Sequence, residues 1–251
     1  MKLLSLRITR GLIFLKKSLK SKLNNMEITY YGHSSFLIKT GGKFLIIDPF
    51  ISPNELAKEI DINQLPADYI LLSHAHQDHV ADFETIANNT GAQLISNFEI
   101  VSYYQNKGFE NVWPMNIGGK HVFDFGLLKM VNAIHTSSFA DGANGGNPAG
   151  FVLSNEEKTI YFAGDTALTY DMKLIGEEFN VDFAILPIGD NFTMGIEDAV
   201  KAADFVGTSQ IIGMHYDTFP YINIDTEAAK AYAEQQGKSL TLLNIGESKT
   251  L

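Results

Sequence analysis

"SHAHQDH", residues 73–79, packs three histidines and an aspartate into one short window of a chain that has only 7 histidines in 251 residues. At that frequency, three histidines at fixed offsets arise by chance in about 0.005 places per chain, roughly (7/251)³ over about 250 starting points. Composition does not account for the cluster. The run before it, "DYILLS" (68–73), is a buried-strand pattern, and "HVADFETIANN" (79–89) has helical periodicity that stops at Gly91. The histidines therefore sit where a strand hands over to a helix, the place where α/β sheets gather ligands. A polar helix start with Asp78 as its cap is the rival reading, but capping needs one residue and explains no histidine.

Working outward, the chain reads as strands first: "EITYYGH", "SSFLIKT", the turn "GG" at 41–42, then "KFLIID". "QLISN" and "KMVNAI" follow as short strands, and the Gly/Asn/Ser-rich stretch 135–150, "HTSSFADGANGGNPAG", reads as a mobile or close-fitting rim. Strand "KTIYFAG", a helix to about Phe179, strand "DFAILPIG", helix "IEDAVKAADFVG", strand "QIIGM", helix "TEAAKAYAEQQG" and strand "LTLLNIG" complete it. This pattern predicts one layered α/β domain over residues 26–251.

Four segments far apart in sequence end in metal-capable side chains. His74 and His76 follow "DYILLS", His135 ends "KMVNAI", Asp165 ends "KTIYFAG" and His215 ends "QIIGM". His74 and His76, two apart at a strand exit, point to one side; Asp78 and His79 start the next helix and aim differently. A catalytic zinc commonly takes three protein ligands and keeps an open position. Seven candidates are too many for one such ion and suit two. The economical partition gives His74, His76 and His135 to one ion and Asp78, His79 and His215 to the other. Asp165 bridges, a carboxylate having two oxygens. Two ions about 3.5–4 Å apart hold a hydroxide at neutral pH and polarise the bond under attack. The sequence thus predicts metal-assisted hydrolysis with two divalent ions, zinc first and manganese or iron as alternatives. The chain has no cysteine, so neither a disulfide nor a thiolate ligand is available, and imidazole and carboxylate suit these metals.

"HAHQDH" followed in order by His135, Asp165 and His215 resembles the metallo-β-lactamase superfamily. "GHSSFLI" (32–38), "IIDPF" (46–50), "GGNPAGFVL" (145–153) and "LPIGDNFTMG" (186–195) resemble a narrower branch of small metal-dependent hydrolases related to sugar-phosphate lactonases. The resemblance runs from Met26 to near the C-terminus. It implies a four-layer αββα sandwich and the same ligand set, with Asp78 as both ligand and catalytic orienter of the hydroxide. It also implies that Asp48 orients the histidine cluster from behind, where a turn aspartate before Pro49 is the rival. His33 falls outside the ligand set, as a substrate-side residue or a structural histidine. Asp190 and Asn191, leaving "DFAILPIG", are substrate-side candidates, and His121 reads as structural.

Charge divides the chain. Residues 1–25 carry seven Lys/Arg and no acid, which leaves 12 basic and 29 acidic side chains beyond them, a net of −17. So acidic a body disfavours nucleic acid, which is bound largely through Lys/Arg, and leaves a small-molecule substrate. Within 1–25, Leu4, Ile8, Leu12, Leu15, Leu19 and Leu23 form a stripe at helical spacing. The expectation is a dispensable basic amphipathic extension, with contact to a membrane surface as its alternative function. Arg7, Arg10, Lys16 and Lys17 interrupt every long apolar run, and "GLIFL" is a weak signal peptide. A cytoplasmic location follows as the expectation. A non-hydrolytic di-iron redox or metal-sensing role would use the same ligands, but no flavin-binding or second cofactor motif accompanies them.

Overall fold

The computed structural model describes residues 25–251. The basic stripe of residues 1–25, apart from Asn25, lies outside the described residues. In chain order the strands are β1 (Glu27–Gly32), β2 (Ser35–Thr40), β3 (Lys43–Ile47), β4 (Tyr69–Leu71), β5 (Gln93–Asn97), β6 (Val112–Met115) and β7 (Lys120–Phe123). They continue with β8 (Gly126–Asn132), β9 (Ala149–Ser154), β10 (Thr159–Phe162), β11 (Phe183–Pro187), β12 (Gln210–Met214), β13 (Ser239–Thr241) and β14 (Ser248–Thr250). The α-helices are α1 (Gln77–Val80), α2 (Phe83–Thr90), α3 (Phe98–Asn106), α4 (Met172–Glu178), α5 (Ile196–Val206) and α6 (Thr226–Gln235). None of the helices among the described residues is long and apolar enough to cross a membrane.

The strands form two seven-stranded mixed sheets, in the orders β14-β1-β2-β3-β4-β5-β6 and β13-β12-β11-β10-β9-β8-β7. Each sheet is an antiparallel meander that turns parallel: β1, β2 and β3 run antiparallel and β3 to β6 parallel, while β7 to β10 run antiparallel and β10 to β13 parallel. Parallel neighbours need crossovers, and the helices supply them. The two sheets share one apolar core, in which Phe36 of β2 meets Phe162 of β10 edge to face at 6.2 Å between ring centres. A second cluster, including Ile70, Leu72, Phe83, Ile86 and Tyr104, lies between the first sheet and α2 and α3. This is the expected αββα arrangement.

Local differences from the sequence reading have simple causes. The helix expected over 79–89 is two helices, broken at Ala81–Asp82. Asp82 turns inward there and accepts hydrogen bonds from the amides of Ile51 and Ser52. Gly91, at φ 71°, ends α2 in the left-handed conformation a C-terminal cap requires. Asp78 is not the cap of α1: His76 holds that position, and Asp78 lies in the first turn. "LTLLNIG" is strand only over Ser239–Thr241, with the separate edge strand β14 behind it. The sequence pattern places no element at α3, β6, β7 or β9. Helix α3 is capped by Asn97, whose side chain accepts from the Ile100 amide. The 135–150 stretch is the close-fitting alternative. A Cβ on Gly145 would stand 2.3 Å from both Ala75 Cβ and Ser137 Oγ, and Phe139 stacks on Tyr103 at 3.6 Å between ring centres.

Candidate metal centre

Strands of both sheets point their carboxyl ends at one place. From the first sheet come Asp48 after β3 and the 73–79 segment after β4; from the second come His135 after β8, Asp165 after β10 and His215 after β12. The ligand atoms of His74, His76 and His135 all lie within 4.8 Å of one another, and so do those of His33, Asp78, His79 and His215. Asp165 Oδ2 faces both groups: it is 2.9 Å from His215 Nε2, 3.3 Å from His79 Nε2, 3.6 Å from His135 Nε2 and 4.0 Å from His74 Nε2. One oxygen thus looks both ways, whereas the sequence reading rested a bridge on the carboxylate having two. The other oxygen, Oδ1, is buried and has no hydrogen-bond partner among the described residues.

Hydrogen bonds behind the rings fix which nitrogens face inward. Asp48 is fully buried and accepts from the Ser73 amide at 2.7 Å, the Ser73 hydroxyl at 2.5 Å and His79 Nδ1 at 2.9 Å. Ser73 has one hydroxyl proton and gives it to Asp48, so it accepts from His74 Nδ1 at 2.9 Å. His74 therefore carries its proton on Nδ1 and presents a lone pair at Nε2. His76 Nδ1 meets that nitrogen at 3.0 Å, and Thr136 Oγ1 stands 3.3 Å from His76 Nε2. Two imidazole nitrogens this close either share a proton, His76 Nδ1 donating to His74 Nε2, or hold one cation between them. His79 repeats the pattern: Asp48 holds Nδ1, and Nε2 is buried with no hydrogen bond. Such carboxylate–histidine pairs orient metal-binding imidazoles. With no thiolate present, the donor set is nitrogen and oxygen only, which fits zinc, manganese or iron.

Electrostatics separate the two groups. Burial lowers the pKa of His74, with the charge of His79 adding to it, and burial lowers His76 and His135 too, so all three are neutral at pH 7. His33 falls to about 4, chiefly through burial. Burial also acts against charge on His79, but Asp165 and Asp48 outweigh it and raise its pKa. Asp165 is pushed up by burial and pulled further down by His215 and His79, ending well below the usual carboxylate range. For Asp78 burial is outweighed by the His33 hydrogen bond and the charges of His79 and His33, again leaving it low. His74, His79, Asp165 and His215 are buried, while Asp78, His76 and His135 are partly exposed. The open side of the centre lies along those three.

Backbone strain concentrates here. His33, Asp48 and His215 hold φ values of 54°, 46° and 55°, a left-handed conformation costing about 1–3 kcal/mol for a non-glycine residue. Packing holds them in it. A Cβ on Gly189 would lie 2.1 Å from the His215 carbonyl oxygen, so only glycine lets the segment after β11 pass this close. Asp190 and Asn191 also have positive φ, and they line a separate cavity of about 770 Å³ with Tyr221 and Tyr232. Their hydrogen bonds are local, from the Asn191 amide to Asp190 Oδ1 and from the Asp190 amide to Met194. His121 packs on Trp113 at 4.3 Å in edge strand β7. Ser73, Thr136 and Thr218, which touch the histidines, were not singled out in the sequence. Only Ser73, inside the quoted motif, carried any signal.

A family model for a β-lactamase superfamily domain matches residues 27–215. The chain belongs to the β-lactamase superfamily. Among superfamily relatives, the chain is 60% identical over 223 residues to a UPF0173 metal-dependent hydrolase of Flavobacterium johnsoniae, covering 89% of this chain and 99% of that one. It is 59% identical over 224 residues, with the same coverage, to the UPF0173 metal-dependent hydrolase of Christiangramia forsetii. A solved structure, a metallo hydrolase from the archaeon Ignicoccus hospitalis, matches with a TM-score of 0.82 at 34% identity, over 90% of this chain and 98% of that one.

Proposed function

We propose that this chain is a metal-dependent hydrolase that uses two divalent metal ions, zinc first with manganese or iron as alternatives, to cleave an ester, lactone or phosphoester bond of a small molecule. The observation that carries the reading is Asp165 Oδ2, set between the nitrogens of His74 and His135 on one side and those of His79 and His215 on the other. The names of the relatives, metal-dependent hydrolases at 59% and 60% identity, support it.

When bound, such a centre supplies a nucleophile at neutral pH and Lewis-acid polarisation of the bond under attack. The chain does the rest. His74, His76 and His135 would hold one ion, and Asp78, His79 and His215 the other. Asp78 stays ionised with its Oδ2 engaged by His33, and would both hold an ion and accept a hydrogen bond from the nucleophile that the centre supplies. Asp48 and Ser73 keep His79 and His74 in the tautomers that face inward.

The test pairs elemental analysis of purified protein with a screen across lactones, carboxylic esters and phosphodiesters. Lactones come first because of the resemblance to sugar-phosphate lactonases. The expected result is close to two transition-metal ions per chain and turnover in one substrate class that chelation abolishes. A metal content near zero in protein never exposed to chelator rejects the reading.

A further inference from the structure

His33 lies in the tight turn between β1 and β2, with its ring buried and both nitrogens engaged. Nε2 stands 3.1 Å from Asp78 Oδ2, and Nδ1 stands 3.1 Å from Thr218 Oγ1. An ionised carboxylate only accepts, so Nε2 carries the proton and donates it to Asp78. The lone pair is then on Nδ1, 3.1 Å from the Thr218 hydroxyl, whose one proton is shared between that nitrogen and the Tyr216 carbonyl at 3.3 Å. A ring in this state has no electron pair at the nitrogen facing Asp78, His79 and His215. Although it lies within ligand distance of those residues, His33 is not a fourth ligand.

The same residue reaches a second member of the group through its backbone. The His33 carbonyl accepts from the His215 amide at 2.8 Å and from the Tyr30 hydroxyl at 3.2 Å. Phe50 and Phe219 flank the His33 ring at 5.6 Å and 5.4 Å between ring centres, edge-on. Asp78 needs such a partner. Its side chain is 29% exposed, whereas those of His79 and His215 are 0% and 3% exposed, so packing alone does not fix its carboxylate. No hydrogen bond joins His33 to His74, His76 or His135 among the described residues.

We propose that His33 is the positioning residue of the Asp78–His79–His215 half of the centre: its donated hydrogen bond holds the Asp78 carboxylate in the ligand orientation, and retention of an ion in that half depends on it. The inference rests on the two-ion reading above, and its effect is confined to one ion of the two.

The experiment compares the full-length wild-type chain with His33→Ala, His33→Gln and Thr218→Val. Each is equilibrated at buffered free zinc, analysed for zinc per chain, and then substituted with cobalt for absorption spectroscopy. Wild type holds two ions. His33→Ala holds one, or binds the second about 10–100-fold more weakly, the usual cost of removing a group that orients a metal ligand. Its cobalt spectrum loses the contribution of one ion and keeps that of the other. Gln reaches about as far as Nε2 and donates through its amide, so His33→Gln recovers part of the second site. Thr218→Val, which frees Nδ1 but leaves the donor in place, weakens the second ion less than His33→Ala. If His33→Ala fails to fold, the Gln and Val variants decide the matter.

Two ions at wild-type affinity in His33→Ala, with only KM raised, would make His33 a substrate contact and overturn the proposal. A folded His33→Gln no better than His33→Ala overturns the donor role. A wild-type chain holding one ion overturns the two-ion reading and this inference with it. Two ions in wild type together with an unaffected His33→Ala remove this inference alone.

Discussion

Asp48 Oδ2 lies 2.9 Å from His79 Nδ1, and neither side chain is reached by solvent. The contact fixes the imidazole's orientation and directs its free nitrogen toward Asp165. Asp48→Asn removes the charge that accepts this proton and leaves a buried amide with two donors and one acceptor. The variant is expected to bind metal about 10–100-fold more weakly, read by competition with a zinc chelator.

Zinc uptake will depend on pH in one half of the centre only. In the metal-free chain the charge on His79 stabilises the fold fully below about pH 6.5, the ordinary histidine value, and that contribution is lost as pH rises through the raised folded value. At pH 7 an ion bound by His79 must displace its proton, whereas His74, His76 and His135 are already neutral. The first zinc should bind with little pH dependence near pH 7. The second should release about one proton and tighten about tenfold per pH unit. Calorimetry in buffers of different ionisation heat counts the protons; equal release at both steps contradicts the assignment.

Asp78→Asn should keep the fold and lose at least about 100-fold in turnover, the scale of a positioned proton-handling group. The amide is a poorer ligand and a poorer acceptor for the attacking water. His121→Ala is the control. Its ring packs on Trp113 and Phe123 in edge strand β7, so metal content and turnover should stay at wild-type values. A rate for Asp78→Asn close to that of His121→Ala removes Asp78 from the mechanism.

Met26 is fully buried, and its carbonyl accepts from the amide of Leu251. Deleting residues 1–25 should leave metal content unchanged and move the melting temperature by no more than about 4 °C, the shift expected for roughly 1 kcal/mol in a chain of this size. A larger drop means that the segment packs on the domain. Sedimentation of the full chain, but not the shortened one, with anionic vesicles at low salt would assign the segment to a membrane surface.

The strands that carry the histidines were legible because they are buried on both faces. "DYILLS", "KTIYFAG" and "QIIGM" read as apolar runs whose ends place His74, Asp165 and His215 without any knowledge of the topology. Edge strands β6 and β7 lacked that signal: Val112, Trp113, His121 and Phe123 are half-buried or exposed, with Pro114 within β6. Helix α3 was hidden because its buried residues, Ile100, Val101 and Tyr104, are few and its cap belongs to the preceding strand. The role of Thr218 was beyond reach, since nothing in a chain 185 positions long between it and His33 announces a contact at 3.1 Å. Local pattern shows where a side chain leaves its strand; only the docking of two sheets shows what it meets.

That docking has a consequence for the order of events in the cell. Asp48, His74, His76, Asp78 and His79 come from the first half of the chain, and His135, Asp165 and His215 from the second. A ribosome that has emitted only β1 to β6 presents neither a complete His74–His76–His135 triad nor the carboxylate between the two groups. An ion held as proposed would be captured tightly only once the second sheet has closed over the first, as the seal on a finished molecule rather than as a seed for its folding.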